Sequence, residues 1–476
     1  VRELEQILGE KAVLWDDYDL RLYEYDGSID KHVPEAVVFP TSAKQVSEVV
    51  KLCNRRGIPY TARGAGTGLS GGAIPVAGGL LISFSRMNRV LEVDLENLRA
   101  VVEPGLVNLR LSQAVAPDRL QYIPDPSSQK ACTIGGNVAE NSGGPHCLAY
   151  GVTTNHVVGL EVVLPDGEVV WLGGRTPDRP GYDLVGAFIG SEGMMGVATK
   201  IVVRLLRKPA ATQTLIGIFG SIREASQAVS TIIGQGVVPA CLEMMDRTTI
   251  KAVEPAVRAG YPADAEAVLL VEVEGFPDTV ADQVATIQAV CHECGAREVR
   301  TAQSPDERER LWSGRKGAFG ALGRLAPNYY IQDGVVPRTK LPQVLEEVRA
   351  VAERYGLTIA NVFHAGDGNL HPCILFDARR PGETEKVIAA GGDILRACVD
   401  AGGTITGEHG VGMEKQDYLP WIFSEEDQAA MLRLRRAFNP TGNFNPGKVF
   451  PSGRPTCGEL NVRPQVAAAL GPDAWI

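Results

Sequence analysis

Short apolar runs alternate with helix-periodic stretches through the first 200 residues. Residues 36–40 are apolar and predict a strand. Thr41 or Ser42 can cap a helix whose apolar positions share one face, and Gly57 can end it. Further strands are predicted at residues 58–63, 80–85, 100–103 and 197–206, with a hairpin joining residues 159–164 and 168–172.

After Pro209 the pattern changes to two successive strand–helix–strand units, in residues 213–245 and 268–301. Two such units are typical of a ferredoxin-like α+β fold, for which we expect one sheet with helices on one face. Predicted helices at 341–355 and 385–401 and strands at 357–363 and 372–376 complete this part. We therefore predict a first domain over 1–208, to which the tail 437–476 returns, and a second over 209–436.

Composition narrows the possible functions. The 476 residues are 44% hydrophobic and 22% charged, with a net charge of -10, so we expect a globular chain, and the charge balance does not favour a nucleic-acid partner. No apolar run reaches the roughly 18 residues of a transmembrane helix. The nine cysteines are scattered, which favours a reducing, cytoplasmic location.

The 53 glycines are clustered, and three clusters lie in the first domain. Gly66, Gly68 and Gly71 match the GxGxxG spacing, but the following Gly-Ala-Ile-Pro cannot continue as a helix, which disfavours a nicotinamide-binding turn. A nest of backbone N–H groups around a phosphate fits better, with Arg63 nearby, although a glycine-rich surface turn is the alternative. Residues 124–151 and 190–196 add small residues against which a large flat ligand can lie.

These three segments resemble the FAD-binding domain of the vanillyl-alcohol-oxidase type. The resemblance implies a two-subdomain α+β domain, with the flavin facing a ferredoxin-like cap domain. Some relatives attach the flavin to a histidine in the first loop, where this chain has Ala65, Gly66 and Thr67, so we expect non-covalent FAD. The FAD-binding residues expected are Arg63, Gly64, Ala65, Gly66, Thr67, Gly68, Leu69, Ser70, Pro124, Asp125, Thr133, Gly136, Asn137, Ser142, Gly143, Gly144, Tyr150, Gly151, Glu192 and Val197.

Three of the seven histidines fall in two glycine-rich C-terminal motifs, around His364 and His371 and around Glu408 and His409. Two imidazoles and a carboxylate can hold a divalent metal with positions open for substrate, which makes His364, His371 and Glu408 candidate ligands. His409 would then lie beside the metal as a base. Alternatively, these histidines satisfy buried backbone groups. Asp367 either orients a ligand or is simply a turn residue.

The segments 311–319, 329–338 and 361–371 resemble the FAD-linked oxidases of D-2-hydroxy acids. That family includes D-lactate and D-2-hydroxyglutarate dehydrogenases and the D subunits of bacterial glycolate oxidase, which match best. The resemblance implies that Arg315 binds the substrate carboxylate, with a surface ion pair as the alternative role. It also implies a Zn, Mn or Fe ion at the metal site, His409 as the base and hydride transfer from C2 to flavin N5.

Relatives that accept longer diacids use a Thr and a Lys where this chain has Phe319 and Ile331. We therefore expect oxidation of a small monocarboxylate, glycolate to glyoxylate. The alternatives are a D-lactate or D-2-hydroxyglutarate dehydrogenase and a non-catalytic flavin subunit. Because no nicotinamide motif or cluster ligands are seen, electrons must pass to an external acceptor, or oxygen reacts with the reduced flavin directly. The resemblance implies a second FAD subunit and an iron–sulfur subunit as partners, through which the chain would lie at the inner membrane.

Overall fold

The computed structural model describes residues 1–176, 181–454 and 456–458. The end of the predicted returning tail, residues 459–476, lies outside this range. The helices are α1 Arg2–Leu8, α2 Asp17–Arg21, α3 Ala43–Arg56, α4 Asn108–Val115, α5 Ile134–Glu140, α6 Cys147–Tyr150, α7 Leu184–Phe188, α8 Ile222–Gly234, α9 Arg247–Val257, α10 Pro277–Glu293, α11 Pro305–Lys316, α12 Ala318–Leu322, α13 Leu341–Tyr355, α14 Glu383–Asp400 and α15 Glu425–Phe438.

The strands form three main sheets and a short two-stranded ribbon. They are β1 Val13–Leu14, β2 Ala36–Val38, β3 Tyr60–Arg63, β4 Leu80–Ser83, β5 Val90–Asp94, β6 Arg99–Val102, β7 Leu120–Gln121, β8 Val157–Val163, β9 Val169–Gly173, β10 Val197–Arg204, β11 Leu206–Arg207, β12 Ala211–Phe219, β13 Cys241–Asp246, β14 Ala267–Gly275, β15 Ala296–Thr301, β16 Asn328–Ile331, β17 Thr358–His364 and β18 Pro372–Phe376. The expected α+β class is confirmed.

The first sheet has the order β1-β2-β4-β3, with β2, β4 and β3 parallel. Its helix α3 begins where the sequence predicts, because Ser42 Oγ accepts a hydrogen bond from the Gln45 backbone N–H at 3.3 Å. The helix ends at Gly57, whose φ of 62° suits glycine. Val46, Val49, Val50 and Cys53 form its buried face against the sheet.

The second sheet is antiparallel, in the order β5-β6-β10-β8-β9. The predicted hairpin is confirmed: β8 pairs with β9, and Gly167 takes the positive φ of 87° that the turn needs. Helices α4, α5 and α7 pack with one face of this sheet in a single apolar core. Helix α5 thereby brings its glycine-rich first turn next to the loop that follows β3.

The third sheet has seven strands in the order β15-β12-β14-β13-β17-β18-β16. The expectation of helices on one face is wrong, because α8, α10 and α13 cover one face and α9, α11 and α12 cover the other. Leu215 and Phe219 of β12 point to the first group, and Ile216 and Ile218 to the second. A strand that is apolar on both sides requires cover on both sides.

The chain returns to the first sheet after α15. Phe444 stacks on Tyr60 with ring centroids 4.8 Å apart, and the Asn445 backbone N–H donates to Tyr60 O at 2.8 Å. Lys448 is fully buried, and its Nζ donates to Ile74 O at 2.6 Å. The segment around Asn445 is therefore part of the wall beside the loop that follows β3.

Candidate active site

A cavity of about 380 Å³ lies where the glycine-rich loops of the first two sheets face the third sheet. The loop after β3 contains no helix, as the sequence predicts, and Gly66 and Gly71 have φ values of 69° and 78°. Thr133 caps α5 by accepting from the Gly136 N–H at 3.3 Å. A Cβ on Gly64 would overlap Thr133 Oγ1, so only glycine allows the loop to approach the start of α5.

Most of the expected FAD-binding residues line this cavity. They are Arg63, Gly64, Ala65, Gly66, Thr67, Gly68, Leu69, Thr133, Gly136, Asn137, Ser142, Gly143, Glu192 and Val197. Arg63 Nη1, Asn137 Nδ2 and Ser191 Oγ are buried lining atoms without a hydrogen-bond partner among the described residues. Unpaired polar atoms around a glycine-walled cavity fit a large polar ligand such as FAD.

The other expected residues are not among those that line the cavity. They support the loops around it instead. Ser70 is buried, and its hydroxyl donates to His409 O at 2.9 Å. Pro124 O accepts from Asn108 Nδ2 at 2.7 Å, and Tyr150 OH donates to Glu274 Oε2 at 2.8 Å. Asp125 pairs with His146, Gly144 packs on the backbone of Asp125, and Gly151 packs on Asn155.

The histidine motifs converge at the opposite wall of the same cavity, where His371, Glu408 and His409 are lining residues. Glu408 Oε1 lies 3.1 Å from His364 Nε2 and 3.3 Å from His371 Nε2. The His371 and His409 rings stack at 4.9 Å with an interplanar angle of 9°. His409 Nε2 is 3.9 Å from Glu408 Oε1. His364, His371, Glu408 and His409 thus form one compact imidazole–carboxylate cluster.

Two buried carboxylates that the sequence analysis missed hold this cluster. Glu243 on β13 lies 2.7 Å from His364 Nδ1 through Oε1. Asp333 accepts from the backbone N–H groups of Gly407 at 3.0 Å and His409 at 2.9 Å, and from Thr406 Oγ1 at 2.6 Å. An acid between the apolar residues Leu242 and Met244 of β13 was a signal for Glu243. No comparable local signal identified Asp333.

Charge within the cluster is distributed unevenly. Burial alone would lower the pKa of His364, but the carboxylates of Glu243 and Glu408 raise it to about 10. Burial would raise the pKa of Glu408, but His364 and its neighbours lower it to about 2. Burial lowers the pKa of His409 to about 4, so this imidazole is neutral near pH 7. The cluster therefore combines a positive charge and a negative charge with an uncharged imidazole.

The arrangement fits a divalent cation. Neither ring nitrogen of His371 has a hydrogen-bond partner among the described residues, although the ring is buried. One donor atom each from His364, His371 and Glu408 lies within 4.8 Å of the other two. A two-histidine, one-carboxylate set is a common ligand set for Zn and Fe. Glu243 would orient His364 from behind, the usual role of an outer carboxylate.

Arg315 forms a buried ion pair with Glu243. Its side chain is 1% exposed, and its Nε donates to Glu243 Oε2 at 2.7 Å. The alternative of a surface ion pair is wrong, since both partners are buried. The residue does not appear among those lining the cavity, whereas Lys316, Phe319, Tyr329 and Ile331 do. Asp367 lies in the turn between His364 and His371, and no described hydrogen bond links its carboxylate to either ring.

A glycine-walled cavity joined to an imidazole–carboxylate cluster is the arrangement expected of a flavin-dependent oxidoreductase. Comparison with known families agrees: the model of the FAD linked oxidases, C-terminal domain, matches residues 208–449, and that of the FAD binding domain matches residues 34–173. The chain belongs to the FAD-linked oxidase family. It is an FAD-dependent oxidoreductase that acts on a hydroxy acid.

Relatives of known name match nearly the whole chain. Glycolate oxidase subunit GlcD of Escherichia coli K12 is 47% identical over 92% of this chain and 88% of its own. The Bacillus subtilis subunit of the same name is 42% identical over 90% and 92%. A D-lactate dehydrogenase of Anaerostipes hadrus is 33% identical over 94% and 96%.

Solved structures confirm the expected fold of the vanillyl-alcohol-oxidase type. p-Cresol methylhydroxylase superposes with a TM-score of 0.80 over 94% of this chain and 95% of its own, at 19% identity. A 4-ethylphenol oxidase from Gulosibacter chungangensis gives 0.80 over 95% and 97%, also at 19% identity. These likenesses establish the fold. In the described part of the chain, no helix has the length and apolarity needed to cross a bilayer.

Proposed function

We propose that this protein oxidises glycolate to glyoxylate, using non-covalently bound FAD and a divalent metal. The observation that carries the proposal is that His371, Glu408 and His409 open on the same cavity as the glycine-rich loops. A small acid placed between the two walls would meet a base on one side and the flavin on the other. Two relatives at 42% and 47% identity are named glycolate oxidase subunits, which supports this choice of substrate.

FAD, when bound, supplies the oxidant that takes the C2 hydrogen as a hydride. His409 would receive the hydroxyl proton, because its neutral ring borders the cavity and stacks on His371. Its backbone N–H donates to Asp333, which fixes the position of the ring at the cavity wall. The proton and the hydride together account for the two electrons and two hydrogens that separate a 2-hydroxy acid from its 2-oxo product.

His364, His371 and Glu408 would hold the metal, which when bound supplies positive charge that lowers the pKa of the substrate hydroxyl. Arg315 would act on the substrate carboxylate only after leaving its pair with Glu243. In the present arrangement it instead neutralises Glu243 and so supports His364. In both roles Arg315 acts next to Glu243 and His364.

The wall formed by Phe319, Tyr329 and Ile331 favours a short substrate. Phe319 approaches His371 with ring centroids 6.4 Å apart, so apolar surface stands close to the cluster. A second carboxylate placed against Phe319 and Ile331 would lose hydration without gaining a partner. D-Lactate, one methyl larger than glycolate, is the nearest competitor, and a relative at 33% identity is named a D-lactate dehydrogenase.

Electrons leave the reduced enzyme through an external acceptor in this proposal. A second FAD subunit and an iron–sulfur subunit are the proposed partners, and they would hold the cytoplasmic protein at the inner membrane. The E. coli relative is named a subunit, which supports assembly into a complex.

Anaerobic flavin bleaching tests the proposal. Purified protein loaded with FAD and Zn, Mn or Fe is mixed with glycolate, D-lactate, L-lactate or D-2-hydroxyglutarate, and absorbance of the oxidised flavin is followed. We expect glycolate to bleach it fastest. A clear preference for D-lactate would replace glycolate as substrate, and flavin that stays oxidised with every acid would indicate a non-catalytic subunit. His371→Ala should lose the metal by elemental analysis, whereas His292→Ala, on the exposed face of α10, should retain it.

A further inference from the structure

Glu140, the last residue of α5, places a carboxyl group at the cavity wall between two loops. A Cβ built on Gly72 would lie 2.6 Å from Glu140 Oε1, and one on Gly410 would overlap Oε2. Both loops therefore need glycine at the position that contacts the Glu140 carboxyl group, because a larger residue would overlap it. Glu140 Oε2 is buried and has no hydrogen-bond partner among the described residues. A buried carboxyl oxygen without a partner is costly unless a ligand completes it.

A second carboxylate, that of Glu192, lies beside Glu140 and determines which of the two side chains is protonated. Glu192 accepts from the Val411 backbone N–H at 2.7 Å and from the Gly412 N–H at 2.6 Å, which stabilises its charged form. Among the described residues, no backbone N–H group donates to Glu140. Two neighbouring buried carboxyl groups cannot both ionise at low cost, so Glu140 is the one that keeps its proton. Burial, followed by the charge on Glu192, raises the pKa of Glu140 well above its ordinary value.

Among the charged side chains nearby, Glu192 and Asp26 raise the pKa of Glu140, and Lys448 and Lys415 lower it. The two lysines do not supply a counter-ion in contact with it. Lys448 Nζ donates to the backbone oxygen of Ile74, and Lys415 Nζ lies 3.5 Å from Asp333. The neutral form of Glu140 is therefore consistent with all the groups packed around it.

We propose that Glu140 is a neutral carboxylic acid that donates a hydrogen bond to the FAD bound in this cavity. The donor is already positioned on α5, next to the Thr133 cap and Asn137 that line the same wall. The role is separate from the reaction at His409 and does not depend on which hydroxy acid is the substrate. In this role Glu140 recognises the cofactor, and its carboxyl group avoids the cost of an ionised group without a partner.

Two variants separate donation from packing. Glu140→Gln keeps a neutral donor, and Glu140→Leu keeps similar volume without one. The Kd for FAD is measured by titrating apoprotein and following flavin fluorescence at pH 7. We expect the Gln variant to stay within about threefold of wild type and the Leu variant to weaken binding by roughly tenfold, the scale of one buried hydrogen bond. Glu414→Gln is the matched control, since Glu414 is a buried glutamate that lies outside the cavity lining.

The pH dependence gives a second, independent result. Wild-type affinity for FAD should fall as rising pH removes the proton from Glu140, whereas the affinity of Glu140→Gln should not fall over the same range. Equal losses in Gln and Leu, or wild-type affinity in a folded Leu variant, would overturn the proposal. If Leu does not fold, identical pH profiles for wild type and Gln would overturn it. Because only FAD binding is measured, failure here is distinct from an incorrect substrate.

Discussion

Replacing Asp333 with Asn removes one charge from the centre of the site while preserving the shape of the side chain. Asp333 is fully buried and holds the loop that carries Glu408 and His409. Thr406 Oγ1 and the backbone N–H groups of Gly407, Glu408 and His409 all donate to its Oδ2, at 2.6 to 3.2 Å. The substitution therefore tests whether a single carboxylate organises the ligand loop.

The size of the effect follows from those four hydrogen bonds. A bond to a charged acceptor contributes about 1.5–3 kcal/mol and a bond to a neutral one about 0.5–1.5 kcal/mol, so each weakens by about 1 kcal/mol. Since the bonds share one acceptor, the losses are not additive, and we expect about 2–4 kcal/mol in unfolding free energy. Lys415 Nζ, 3.5 Å away, also loses its counter-ion.

Urea unfolding at pH 7, followed by far-UV circular dichroism, measures the stability, and metal content is measured in parallel. Burial alone would raise the pKa of Asp333, but His409 and Lys415 hold it well below its ordinary value, so the carboxylate is fully charged at this pH. Asp264→Asn is the control, because that acid is 75% exposed in its pair with Arg297, and we expect no measurable change in stability. An Asp333→Asn protein as stable as wild type and with full metal content would refute this reasoning.

Two further substitutions probe the contacts on either side of the site. In Gly143→Ala the new Cβ would lie 2.6 Å from Glu408 Oε2, so metal affinity should fall at least tenfold by titration, whereas Gly174→Ala, with open space around it, should bind metal normally. Burial would lower the pKa of His146, but Asp125 raises it well above the ordinary 6.5. The stabilisation of the folded state by the His146–Asp125 pair is therefore complete below pH 6.5, and it is lost as pH rises through the higher pKa that His146 has in the folded state. Urea unfolding should show wild type exceeding His146→Gln most at low pH, and a pH-independent difference would contradict the charged pair.

Local patterns were sufficient for much of the fold. The cap at Ser42, the stop at Gly57 and the hairpin turn at Gly167 are short-range signals, and the structure contains all three. The helices on the second face of the large sheet were missed: α11 has weaker apolar periodicity than α8, α10 or α13, although α9 is as amphipathic as α8. The continuous apolar run at the end of β12 carried that information but does not identify which segments provide the cover.

The site was predictable where its residues are neighbours in sequence. Glu408 and His409 lie together in a glycine-rich loop, and the structure brings them to His364 and His371. Asp333 was not predictable, because its role depends on a contact with residues more than 70 positions away. Arg315 was found by resemblance alone, and its pairing with Glu243 depends on the approach of α11 to β13.

The central claim is that flavin and the imidazole–carboxylate cluster share one cavity and act on one small acid. A crystal structure of the protein with FAD, metal and the glycolate analogue oxalate tests it most directly. We expect the isoalloxazine ring between the loop at Gly68 and the cluster, with oxalate about 3–3.5 Å from both the ring and His409. A ring bound on the side of the loops facing away from His409, or oxalate outside this cavity, would contradict the account.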